Sequence, residues 1–168
     1  GYNWVNATYG AWCYYANDPS NNATYGKLYN WYAAANPNIC PQGWHIPIEA
    51  EWQQLELTLG MPFNELELVG VRGTTANVGG SMKATSLWDA TIYGPITNVS
   101  GFTGLPAAGR HSSSGSFPQL LGTYGTWWSA SEVDWYTAWA RQLYYNSRGS
   151  NRFDAEKKGG YSVRCVKD

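Results

Sequence analysis

The chain has 168 residues, a formal net charge of −1 and only 14 % charged side chains. That length supports one domain with a sizeable core, and without a basic stripe to neutralise phosphates nucleic acid is a poor partner. The longest uncharged stretches, 28–48 and 111–131, are interrupted by Gly, Pro, Ser or Asn, so no membrane-spanning helix is expected.

No signal-peptide pattern opens the sequence, which reads as a mature form or an excised domain. Residues 1–24 alternate Asn, Ala, Thr and aromatics. Turn signals at Asn17-Asp18-Pro19 and Ser20-Asn21-Asn22 predict an irregular entry segment with a short strand over 11–15. Residues 25–35 (YGKLYNWYAAA) read as strand and then helix at the Ala run, ended by Asn36-Pro37-Asn38. The clearest helix covers 46–60. Pro47 suits its first turn, and Glu49 and Glu51 complement the positive helix end. Trp52, Leu55 and Leu59 form one apolar stripe, and Gly60 closes the helix. A weaker helix is predicted over 75–84, interrupted by Gly79 and Gly80. Short strands follow at 101–105, 126–131, 138–145, 148–153 and 161–166. The sum is a single α+β domain over residues 1–168: two helices, a small, mostly antiparallel sheet and long loops.

Ten Trp and thirteen Tyr stand against four Phe. Rings with a polar tip suit half-buried binding faces better than dry cores; the plainer alternative is that they pack large irregular loops. Cys13, Cys40 and Cys165 show no CxxC spacing and no His cluster, which argues against zinc. Three cysteines fit one disulfide plus a spare thiol, or three reduced, buried thiols in a cytosolic protein.

Five segments in register carry a resemblance: YGKLYNWYAAA (25–35), CPQGWHIPIEAEWQQL (40–55), SGFTGLPAAGR (100–110), GTWWSASE (125–132) and GGYSVRCVKD (159–168). Together they resemble the Fibrobacter succinogenes major paralogous domain over roughly residues 25–168. The resemblance implies a C-type-lectin-like fold in bacterial proteins that are secreted, held at the cell surface or carried on a phage particle. HIPIEAEW and the closing strand are also similar to those of formylglycine-generating-enzyme-like domains, and the implied fold is shared by the variable proteins of diversity-generating retroelements. Such folds bring chain start and chain end together, which implies a Cys40–Cys165 disulfide and leaves Cys13 free. Ile48 departs from the family's Thr or Ser helix cap, a loss of about 1 kcal/mol.

Catalysis is not expected. Neither His45 nor His111 has a carboxylate or nucleophile at a recognisable spacing. Only Cys165 lies late in the chain, where the formylglycine-generating relatives use a cysteine pair with a metal. No cofactor is expected. Calcium lectins of this fold use Glu-Pro-Asn or Gln-Pro-Asp followed by Trp-Asn-Asp, and neither occurs here. Glu132, Asp134 and Asp154 remain as candidate oxygen ligands for a structural calcium.

The informative stretch is WYTAWARQLYYNSRGSNRF (135–153). Period-2 alternation puts Trp139, Arg141, Leu143 and Tyr145 toward the core, and Ala140, Gln142, Tyr144 and Asn146 toward solvent. Trp135, Tyr136, Ser147, Arg148, Asn151, Phe153 and Asp154 extend that surface. These are residue types of adaptable binding faces, although an ordinary polar sheet face would read the same way. The expectation is an extracellular adhesion or ligand-binding module for protein or glycan, in the resembled retroelement targets a diversified region. The alternatives are a formylglycine-generating-type enzyme and a structural module of a larger surface protein.

Overall fold

The computed structural model describes residues 2–89 and 94–168. Among the described residues the α-helices and strands are, in chain order, α1 (Tyr2–Val5), β1 (Trp12–Cys13), α2 (Asn22–Tyr25), β2 (Leu28–Tyr29), α3 (Trp31–Ala34), β3 (Trp44–His45), α4 (Glu49–Thr58), β4 (Gly70–Arg72), α5 (Val78–Met82), β5 (Tyr124–Glu132), β6 (Thr137–Tyr144), β7 (Ser150–Glu156) and β8 (Val166–Lys167). The fold is α+β. Its main sheet has the order β4-β7-β6-β5, and two-stranded ribbons join β1 to β2 and β3 to β8. Every pairing between these strands is antiparallel.

The predicted helix over 46–60 shortens to α4, and that over 75–84 to α5. Glycine survives inside α5 because a Cβ on Gly79 would lie 2.2 Å from the Gly149 carbonyl oxygen; helix and β6–β7 turn meet backbone to backbone. Among the expected strands, 101–105 forms only an isolated bridge at Gly104, and 161–166 forms bridges at Tyr161 and Ser162 before β8. Loop carbonyls and amides there pair singly rather than in a ladder.

The α4 start explains how the chain manages without a Thr or Ser at Ile48. Ile48 has no side-chain acceptor, but the Glu51 carboxylate accepts the Ile48 N–H at 2.9 Å and the Ser131 hydroxyl of β5 accepts the Glu49 N–H at 3.0 Å. Two orphan donors of the first turn are thereby satisfied, one of them from across the fold.

Both sheet faces are covered. On one, Trp52, Met61, Leu66, Val78, Met82, Trp127 and Leu143 form the main core. On the other, Trp128, Ala138, Ala140 and Ala155 pack with Ala34, flanked by Trp31 and Tyr161. The main core contains buried charge as well. Glu56, fully buried, takes Arg72 at 2.6 Å, Arg141 at 2.9 Å and the Ser150 hydroxyl at 2.8 Å. Glu49 takes Arg141 at 2.8 Å and Arg152 at 2.7 Å. The Cys40–Cys165 disulfide closes the molecule, and Cys13 is a buried free thiol; the reading with three reduced cysteines is overturned.

Candidate functional site

Period-2 alternation along β6 holds: Arg141 and Leu143 enter the core, and Gln142 lies on the opposite face. Ala140 corrects the expectation. It was assigned to a solvent-facing row but is 0 % exposed, because the Trp31, Trp128 and Tyr161 side covers this half of the sheet. Trp139, expected in the core, is half-buried under the Arg152 guanidinium, 3.4 Å from its ring centroid.

What stays open on that face is a cleft of about 180 Å³ between the sheet and the 109–118 loop. Tyr124 of β5, Gln142 of β6, Phe153 of β7 and Tyr161 line its sheet side; Gly109, Arg110, His111 and Pro118 line the loop side. The register that pairs Tyr124 with Tyr144, Thr126 with Gln142 and Gln142 with Asn151 fixes the floor. Gln142 donates to the Thr126 hydroxyl at 3.0 Å and accepts from the Asn151 amide at 3.4 Å, so its head is held in one orientation.

The loop is anchored from outside the cleft. The Arg110 guanidinium lies 4.3 Å from the Trp4 ring centroid and 4.9 Å from that of Phe117, and its Nε donates to the Gly115 carbonyl at 2.9 Å. The backbone of Arg110 exchanges two hydrogen bonds with Gly160. Burial pushes the phenols of Tyr124 and Tyr161 up to about 12. Both therefore stay neutral across physiological pH, as donors and acceptors rather than bases. Among the described residues no carboxylate lines the cleft. Aromatic walls with an oriented amide can hold a ligand.

The remaining residues of the expected surface fall elsewhere. Trp135, 84 % exposed, and Tyr136 form an aromatic pair at the β5–β6 turn, ring centroids 5.3 Å apart. Asn146, Ser147 and Arg148 sit at the other end of β6. The Ser147 carbonyl there accepts from Lys83 Nζ at 2.6 Å, and the Arg148 carbonyl from the Gly79 N–H at 2.7 Å. Tyr144 packs on Tyr124, centroids 6.4 Å apart. Asp154 pairs with Trp139 in the register and so belongs to the opposite face. One continuous row thus becomes a tip, a cleft and a turn.

The calcium candidates are also separated. Glu132 is paired with Lys157, and Asp134 caps its own turn, accepting from the Tyr136 and Thr137 N–H groups at 2.7 Å. Among the described residues no group of three or more His, Cys, Asp or Glu is placed to hold a metal ion.

His45, which has no carboxylate at a recognisable spacing in the sequence, is satisfied by two in the structure. Its Nδ1 lies 2.6 Å from Asp168 and its Nε2 2.8 Å from Glu51. A ring with an acceptor at each nitrogen is best satisfied doubly protonated, and hydrogen bonding to Asp168 and then Glu51 raises its pKa. The cleft residues that sequence reasoning missed are Gly109, Arg110, His111, Pro118, Tyr124 and Tyr161. Their only signal was membership of the SGFTGLPAAGR and GGYSVRCVKD segments or proximity to one of the five segments.

The model of the Fibrobacter succinogenes major domain family matches residues 2–167. The chain belongs to this family. No curated protein and no solved structure matches it. Cleft, buried charge network, disulfide and His45 all lie within this Fibrobacter succinogenes major domain, apart from Asp168 one residue past the matched span. The described residues of the domain contain no helix long and apolar enough to cross a membrane.

Proposed function

We propose that this domain is an extracellular recognition module of C-type-lectin-like architecture, binding a protein or glycan without chemistry. The carrying observation is the cleft: Tyr124, Gln142, Phe153 and Tyr161 present rings and a fixed amide without a carboxylate. A disulfide supports a secreted or surface location, since such bonds persist in oxidising compartments. The exposed Trp135–Tyr136 pair extends the reading to the hairpin tip, where amphipathic rings add contact area at low entropy cost.

The test is an array of bacterial and host glycans and surface proteins, probed with the parent and with a variant carrying Gln142→Ala, Tyr144→Ala, Asn146→Ala and Phe153→Leu. Loss of the parent's ligands with an unchanged melting temperature is the expected result. Unchanged binding removes the cleft from the reading. Retroelement diversification of this region is a separate question: it requires a reverse transcriptase beside the gene and an imperfect repeat of the sequence coding for 135–165, and their absence refutes it.

A further inference from the structure

A second cavity, of about 190 Å³, lies between α4 and the C-terminal segment, away from the cleft. Pro47, Trp52, Leu55, Phe102, Cys165 and Val166 form its apolar lining, and Glu51 and Arg164 are its charged members. Trp52 is 1 % exposed, and its Nε1–H finds no acceptor among the described residues. A buried donor left unmatched in an apolar wall is rare in a folded chain.

The two charges are not equivalent. Glu51 is answered by His45 at 2.8 Å and by the Ile48 N–H at 2.9 Å. Arg164 is not: Arg72, Arg141 and Arg152 each meet a carboxylate, whereas Arg164 meets none among the described residues. Its guanidinium donates to the Phe102 carbonyl at 2.6 Å and lies 5.1 Å from the Phe102 ring centroid. Arg164 is exposed at the edge of the cavity, and the protein packed along it lowers its pKa.

We propose that this cavity binds a small ligand bearing one carboxylate on an apolar body of about one aromatic ring. The body fills the space against Trp52, Leu55 and Phe102, a volume comparable to apolar cavities that take up benzene. The carboxylate pairs with Arg164, which offers the planar donor fork suited to it. Such a carboxylate belongs either to a free aryl or short-chain acid or to a peptide ending in an apolar residue.

The experiment follows the Trp52 indole N–H by ¹H–¹⁵N spectroscopy on the whole chain. The probes are phenylacetate, phenethylamine, and the tripeptide Gly-Gly-Phe with a free or an amidated end. A saturable shift with phenylacetate or the free-ended tripeptide, and none with the amine, is expected. Whichever acid binds identifies the source. Arg164→Gln should weaken binding by roughly ten-fold at an unchanged melting temperature, since one charge-assisted pair is lost, while Arg164→Lys should recover part of it. An unmoved Trp52 signal at millimolar probe, equal response to the amine, or parental affinity in Arg164→Gln overturns the proposal.

Discussion

At Glu56 one carboxylate serves two guanidiniums and a hydroxyl without any exposure to water. Removing it leaves Arg72 buried without a carboxylate and Arg141 with Glu49 alone. Glu56→Ala is expected to cost about 3–5 kcal/mol in a urea denaturation experiment. Lys83 is a different buried charge. It is 2 % exposed, with no carboxylate in contact among the described residues, and burial pulls its pKa down to about 8. The folded state therefore disfavours the charged form; the penalty is full below about pH 8 and fades as pH rises toward the unfolded value near 10.5. Across that window the parent should gain stability relative to Lys83→Met, by on the order of 3 kcal/mol. The sign for His45 is opposite. Its folded pKa is raised by Asp168 and Glu51, so its contribution is present at low pH and is lost as pH rises through the folded value. The melting-temperature advantage of the parent over His45→Gln should shrink as pH rises above the ordinary imidazole value of 6.5; an advantage that grows with pH contradicts the pairing.

Among the elements, α4 depends on a partner far along the chain. The Ser131 hydroxyl substitutes for a side-chain cap at Ile48, so Ser131→Ala should cost about 1 kcal/mol, the usual worth of a helix cap. β3 and β8 are two residues each and are held by the Cys40–Cys165 bridge beside them. Loss of that bridge through Cys165→Ser should cost roughly 4–5 kcal/mol in the chain-entropy picture, the loop being long. Thermal melts with and without reductant read this directly. The elements legible from sequence were α4, through Trp52, Leu55 and Leu59, and β6, through alternation; β5 and β7 were read only as short runs between turn-rich clusters. Residues 101–105 carry strand composition, yet their backbone bonds go singly to Met82, Ala84 and side chains. Local pattern cannot report such non-local partners. The α4 stripe likewise gave no sign of Glu56, because a buried carboxylate is polar in any periodicity argument until its arginines are placed.

For the molecule as a whole, the alternation of β6 located half of the cleft and misplaced the rest. Gln142 and Phe153 lie in it; Ala140 is covered; Trp135 and Arg148 sit at opposite ends of a strand of eight residues. Faces of a strand can be read from period two, but which part of a face a distant loop covers depends on contacts such as Arg110 with Gly160, formed across the fold. The disulfide followed from the family resemblance rather than from the cysteines themselves. Binding at the cleft is the account's central claim, and hydrogen exchange of the parent with and without an array-identified ligand tests it most directly. Slowed exchange at the 109–118 loop and around Gln142 and Phe153 is the predicted footprint. Protection confined to the hairpin tip or to α4, with the cleft unchanged, contradicts it.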